Sequence, residues 1–296
     1  MATALVATPD VIGPVRSRKR AKAPLQWGNP IVYLVALLFV GLMVGPVAFL
    51  IIAGFRSNSQ IQADPAGWPD PWTLDSYLTV LQTPVFWVAF ANSVIAAVVT
   101  TALVVALGLM VSFVLARYRF AGSGALYALF AAGLMFPLTV AITPLYILVR
   151  DLRLMDSLAG VILPQVAFGL PTTVIILVPF LRAIPNEIQE ASEIDGCSRL
   201  GFFFRMVLPL SMPGVVTVGI LAFIGSWNSY MLPLYVLNDP GASTLPLTVQ
   251  QLAQGRYATD TALVLAATSL AMIPALGFFS LFERRIVGGL SGAVKG

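Results

Sequence analysis

The chain contains no histidine and a single cysteine, Cys197, among 296 residues. The first absence removes the side chain most used for acid–base catalysis near neutral pH and for holding transition metals. The second excludes a disulfide framework within the chain. Charge is also scarce: Asp, Glu, Lys and Arg make up 10% of the residues, against roughly 25% in an ordinary soluble domain. No Gly-x-x-x-x-Gly-Lys-Ser/Thr stretch occurs, so a phosphate-binding loop for ATP is missing. The acidic residues Glu187, Glu190, Glu193 and Asp195 cluster without His or Cys nearby in the pattern of a metal site, which reads as solvated helix charge. Neither catalysis, nor ATP hydrolysis, nor a bound metal is expected of this chain by itself.

What fills the sequence instead is apolar: 58% of residues are hydrophobic, and they come in long charge-free runs. A helix crosses the hydrocarbon core with about 20 apolar residues. Six runs reach that length: Ile31–Phe55, Val85–Ala116, Phe120–Val149, Ser157–Leu181, Met206–Asn238 and Thr261–Phe282. They predict an all-α membrane protein with six transmembrane helices. The second, third and fifth runs exceed one bilayer thickness, so each is expected to include tilt, a loop portion or an interfacial segment. Prolines at 46, 137, 144, 164, 171, 233 and 274 suit kinked helices around a cavity, and equally suit the ordinary proline content of multi-span proteins.

Residues 1–24 lack an apolar period and are read as a flexible arm; 25–285 form the transmembrane domain and 286–296 a tail. The basic cluster Arg16, Arg18, Lys19, Arg20, Lys22 precedes the first run, which is too long for a cleaved signal segment of about 7–15 apolar residues and is expected to be retained. With the N-terminus inside, only Arg56, Arg150, Arg153 and Arg256 of the 17 basic residues fall on the opposite side. Positive charge concentrates on cytoplasmic loops, so both termini are expected in the cytoplasm of a multi-pass inner-membrane protein. The basic residues flank spans and form no stripe, which argues against nucleic acid as a partner. The largest outside segments, about 56–84 and 239–260, do not read as independent domains.

The most specific stretch, about 182–209, lies between the fourth and fifth runs on the cytoplasmic side. It reads helix, turn, helix: Pro185 and Asn186 suit a start, Gly196 a left-handed end, and Ser198 the cap of a second helix. Ile188, Ala191, Ser192 and Asp195 follow three- and four-residue steps, predicting that Ala191 and Ser192 present a face another protein approaches closely.

This segment resembles the EAA loop of ABC-importer permeases, whose pattern is Glu-Ala-Ala, three residues, Gly, nine residues, Ile-x-Leu-Pro. Here Glu190-Ala191-Ser192 is followed at the right spacing by Gly196 and then by Met206-Val207-Leu208-Pro209. Ser192 and Met206 depart from the pattern while keeping small size and apolar character. The segment Ile224–Tyr230 with Leu232-Pro233-Leu234, and the ending from Glu283 to Gly296, are similar to the MalG-like carbohydrate subgroup.

The resemblance implies a permease subunit of a binding-protein-dependent importer for a sugar or oligosaccharide. It also implies a second homologous permease, two cytoplasmic ATPase subunits that bind ATP and Mg, an extracytoplasmic solute-binding protein and surrounding membrane lipid. Under it, Glu190, Ala191, Ser192, Asp195, Gly196, Leu208 and Pro209 couple to the ATPase, Gly288, Gly289, Gly292 and Lys295 reach toward it, and 239–260 faces the binding protein. Trp227, Asn228 and Tyr230, and more weakly Asn92, admit two readings: lining of the translocation path or contacts between spans. An ion-coupled secondary transporter is the alternative, weakened because none of the six runs holds an Asp, Glu or His to carry the coupling charge.

Overall fold

The computed structural model describes residues 30–254 and 260–294, the backbone alone from 281 onward. The predicted arm, residues 1–24, lies outside the described residues. Two compact units are present, one ending at Pro46 and one beginning at Val47. The first holds most of α1 (Pro30–Ala53), a helix without a single charge; the architecture that follows belongs to the second.

Within the described residues every regular element is a helix: α2 (Asn58–Ala63), α3 (Asp75–Gln82), α4 (Pro84–Arg117), α5 (Ser123–Gly133), α6 (Leu138–Asp151), α7 (Leu158–Arg182), α8 (Asn186–Ile194), α9 (Arg199–Leu210), α10 (Met212–Trp227), α11 (Met231–Val236), α12 (Leu245–Gln254) and α13 (Thr261–Val294). α1, α4, α7 and α13 are long and apolar enough to cross a membrane singly, and the count reaches six if each of two bent pairs makes one span. The third and fifth predicted runs are those pairs. α5 and α6 meet at 101°, and α9 and α10 at 77°. α5 ends at Gly133, a turn follows over 134–136, and Pro137 sits extended at ψ 135° as the N-cap of α6. Pro144, Pro164, Pro171 and Pro274 stay inside helices, so proline alone did not distinguish a break from a tolerated kink. The second run is one unbroken helix, α4.

α4 and α7 share the largest interface, with α10 packed against both. They approach closely because each offers a glycine to the other's branched side chain. A Cβ on Gly108 would stand 2.3 Å from Thr173 Cγ2, and one on Gly169 would stand 2.8 Å from Val104. Lipid supplies no hydrophobic drive between helices, so such packing of small residues holds spans together.

One end of the bundle is braced by segments that the sequence suggested were loops. Ser57 and Gln60 form a reciprocal cap on α2. The buried Arg56 guanidinium donates to the carbonyls of Gln60 (2.7 Å), Asp64 and Pro65 (3.2 Å), gathering the C-terminal end of that helix and the turn after it around one cation. Segment 239–260 contains α12 and is tied down ahead of it. Asn92 Nδ2 donates to Gly241 O (2.9 Å) and Ser243 O (3.0 Å), and Leu245 N donates to Ser93 Oγ (2.7 Å).

The same segment is held from the α6–α7 turn. The Asp156 carboxylate accepts from the backbone N–H of Asn238 (2.5 Å) and Asp239 (3.0 Å), and these bonds hold its pKa below the ordinary 3.8. A carboxyl depressed in the fold stabilises it above the unfolded value, and that contribution is lost as pH falls through the folded value. Hydrogen-exchange protection at Asn238 and Asp239, corrected for intrinsic rates, should therefore be full at neutral pH and decline only below about pH 3.8. In Asp156→Ala it should be low at every pH. Equal protection in the two proteins at pH 7 would refute the tether.

Candidate functional site

At the opposite end, α8 and α9 form a short helical hairpin. Pro185 is the extended N-cap of α8, and Glu187 lies in the first turn, where negative charge suits the helix dipole. The helix closes in a Schellman arrangement. Cys197 N donates to Ser192 O (2.9 Å), Gly196 N to Glu193 O (3.0 Å), and Gly196 has φ 76°. A Cβ at Gly196 would meet nothing within 4 Å, so the glycine answers to backbone conformation and not to crowding. Ser198 then caps α9, its Oγ accepting from Gly201 N (3.1 Å). In α9 a wide turn over Phe203–Val207, with Leu208 N donating to Phe203 O, accommodates the missing N–H of Pro209. The 77° bend follows at the buried Ser211, whose hydroxyl donates to Val207 O (2.7 Å).

The hairpin is riveted to the spans. Ile188, Cys197, Phe202, Phe203 and Val207 pack with Phe113 of α4, Leu177 and Leu181 of α7 and Val218 of α10. Arg117, at the end of α4, donates to Ile184 O (2.8 Å) and Asn186 Oδ1 (3.1 Å). The Arg199 guanidinium lies 5.3 Å over the Tyr118 ring.

This anchoring corrects the predicted docking face. Ser192 is 4% exposed and points inward with Ile188, one turn before it, because α8 must bury one stripe against the spans. The outward face carries Glu187, Glu190, Ala191 and Ile194, with Asp195 and Gly196 at the turn. Ile194 is 87% exposed and Leu200 71%, so two large apolar side chains flank the turn without cover from the described residues. Leu208 is half-buried beside the anchoring cluster and Pro209 is exposed at the bend.

The remaining predicted residues are scattered. Trp227 is buried among Phe86, Phe90 and Phe223, its Nε1 donating to Ala271 O (3.3 Å). Asn92 serves the brace at the far end, and Asn228 and Tyr230 occupy the break between α10 and α11. Gly288, Gly289 and Gly292 fall on the helical backbone of α13, which runs to Val294; Lys295 lies outside the described residues.

A cavity of about 210 Å³ opens between α4, α7 and α10 and contains none of these four polar or aromatic candidates. It holds Gln165, Thr100 and Ser226, which the sequence reading passed over. The signal available was a lone carboxamide in a charge-free run, and its hydroxyl partners stand 61 and 65 residues away in sequence.

Comparison with known proteins yields one family, described as binding-protein-dependent transport system inner membrane component, matching residues 25–288. The diacetylchitobiose uptake system permease protein NgcG of Streptomyces coelicolor is 33% identical over 86% of this chain and 85% of its own length. The trehalose transport system permease protein SugB of Mycobacterium tuberculosis is 33% identical over 88% and 94%. Among solved structures, a bacterial ABC transporter involved in import of the acidic polysaccharide alginate superposes with a TM-score of 0.74, covering 86% of this chain and 95% of that one at 20% identity. That likeness is one of fold.

Proposed function

The chain belongs to the binding-protein-dependent transport system inner membrane components, and from that membership we propose that it is the permease subunit of an ATP-driven importer for an uncharged sugar or oligosaccharide. The observation that carries the reading is the α8–α9 hairpin. Its inner stripe is fixed to α4, α7 and α10, while Ile194 and Leu200 stand exposed beside the Gly196 turn. Such a knob suits a groove on a partner ATPase, which would bind ATP and Mg and perform the hydrolysis. Closure of two such subunits would move the three spans through the rivets. The far-end segment 239–260 would meet a solute-binding protein outside, and a second homologous permease would complete the path.

Several features support the details. The basic residues crowd the hairpin side, consistent with cytoplasmic termini. The relatives named for diacetylchitobiose and trehalose support a saccharide. The spans carry no charge that would face a charged solute. Family membership displaces the ion-coupled alternative. Purification of the chain from its native membrane should bring a second multi-span permease and an ATPase, with hydrolysis stimulated by binding protein plus a neutral saccharide. A chain that purifies alone, with no saccharide-stimulated hydrolysis, would overturn the reading.

A further inference from the structure

We propose that the cavity between α4, α7 and α10 is a subsite for one ring of a neutral, hydroxyl-rich solute, with Gln165 as its hydrogen-bond donor and Phe168 as its apolar wall. The proposal rests on the importer reading above and adds the residues that touch the cargo within the membrane. Gln165 Oε1 accepts from Ser226 Oγ at 2.6 Å and Thr100 Oγ1 at 3.2 Å. Both acceptor positions of the amide oxygen are thereby filled and the side chain is oriented from two different helices. Its nitrogen, with two hydrogens to donate, has no acceptor among the described residues.

The hydroxyls of Thr172 and Ser229, also on the cavity wall, likewise bond nothing among the described residues. The Gln165 nitrogen is open to the cavity, so a group that enters and displaces water from it must accept its hydrogen bond or lose it. A hydroxyl or ring oxygen does so, and hydroxyl groups can answer Thr172 and Ser229 in both senses.

The lining has no ionisable side chain, so an anion or cation would be desolvated there without compensation. Phe168 supplies a flat apolar face of the sort that small-molecule sites combine with a few placed polar groups. At about 210 Å³ the space falls below the roughly 300–1,000 Å³ of a site enclosing a drug-sized ligand. It therefore takes part of a saccharide at a time, as a passage station does, and does not engulf an oligosaccharide.

The test uses the complete transporter in proteoliposomes: this chain with its partner permease, ATPase and binding protein, and tritiated trehalose, diacetylchitobiose and arabinobiose as probes. Gln165→Met removes the donor at similar volume, and the Thr172→Val/Ser229→Ala pair leaves the internal bonds of Gln165 intact. Both should assemble, with the partner permease and the ATPase co-purifying as they do with the wild type. Uptake should fall about tenfold in Gln165→Met, the scale of lost hydrogen bonds to a substrate hydroxyl. The double variant should change the ratio of uptake among the saccharides, which a packing defect would leave alone. If the wild type carries none of the three, the importer reading for neutral sugars fails and takes the subsite with it. If the wild type carries one, and assembled variants carry it at unchanged rate and ratio, the subsite is refuted while the function stands. Should Gln165→Met not assemble, the double variant decides alone.

Discussion

Ile194→Asp should leave the chain folded and stop the transporter. Ile194 is 87% exposed at the end of α8 and outside the cluster that anchors the hairpin, so the substitution removes almost no packing within the chain. In the groove of the ATPase proposed above, the same position would change from a buried apolar contact to a buried charge. Truncation of a hot-spot residue at the centre of an interface costs about 2 kcal/mol or more, and about 2 kcal/mol is roughly thirtyfold in affinity. Co-purification of the ATPase should weaken by that factor, and binding-protein-stimulated hydrolysis should drop with it, while the thermal midpoint of the membrane subunits stays put. Leu200→Asp should behave alike from the other side of the turn. Wild-type uptake by Ile194→Asp would remove the hairpin from the coupling route.

The second large effect is structural. Gly108→Leu should prevent the close approach of α4 and α7, because the new Cβ would lie 2.3 Å from Thr173 Cγ2. Thr173 cannot swing aside freely: its hydroxyl donates to Gly169 O at 3.0 Å, and a branched side chain in a helix has few rotamers. Overpacking of this kind costs about 1–3 kcal/mol, and the distal methyls of leucine put this case at the upper end. The thermal midpoint of the purified protein should fall by several degrees, with less folded protein reaching the membrane. Gly108→Leu combined with Thr173→Gly should recover part of the loss, since space is returned where it was taken, less the cost of a glycine inside α7. An unchanged midpoint in Gly108→Leu would mean that the two helices have room that the structure denies them.

The four unbroken candidate spans were legible because hydropathy reports length, and length with apolar composition is what such a helix needs. The breaks in the third and fifth runs were not legible, since Pro137 and Pro144 look alike in sequence yet only Pro137 takes an extended conformation as a cap. The hairpin was legible in detail, because caps and turns are written in local residue types: Gly196 for its positive φ and Ser198 for its free oxygen. Which face of α8 points inward was not. With Ile188 and Ser192 turned to the spans and Ile194 exposed, α8 has apolar or small residues on two sides, and periodicity does not say which side is buried. Gln165 escaped notice for a different reason: its meaning comes from Thr100 and Ser226, brought to it only by the packing of three helices.

α4 gives these separate sites a common mechanical element. It has no proline after its first residue, and it touches the far-end brace through Asn92 and Ser93, the cavity through Thr100 and the hairpin through Arg117. From Asn92 to Arg117 an unbroken helix extends about 38 Å. Such a rod transmits thrust without absorbing it, because shortening it would break hydrogen bonds along its length. A shift imposed at the hairpin must appear at the cavity and at the brace with no lag beyond elastic propagation, and the reverse holds for a load applied at the brace. The chain is thereby stiff along one axis, and a proline introduced between Thr100 and Arg117 would turn that push-rod into a joint.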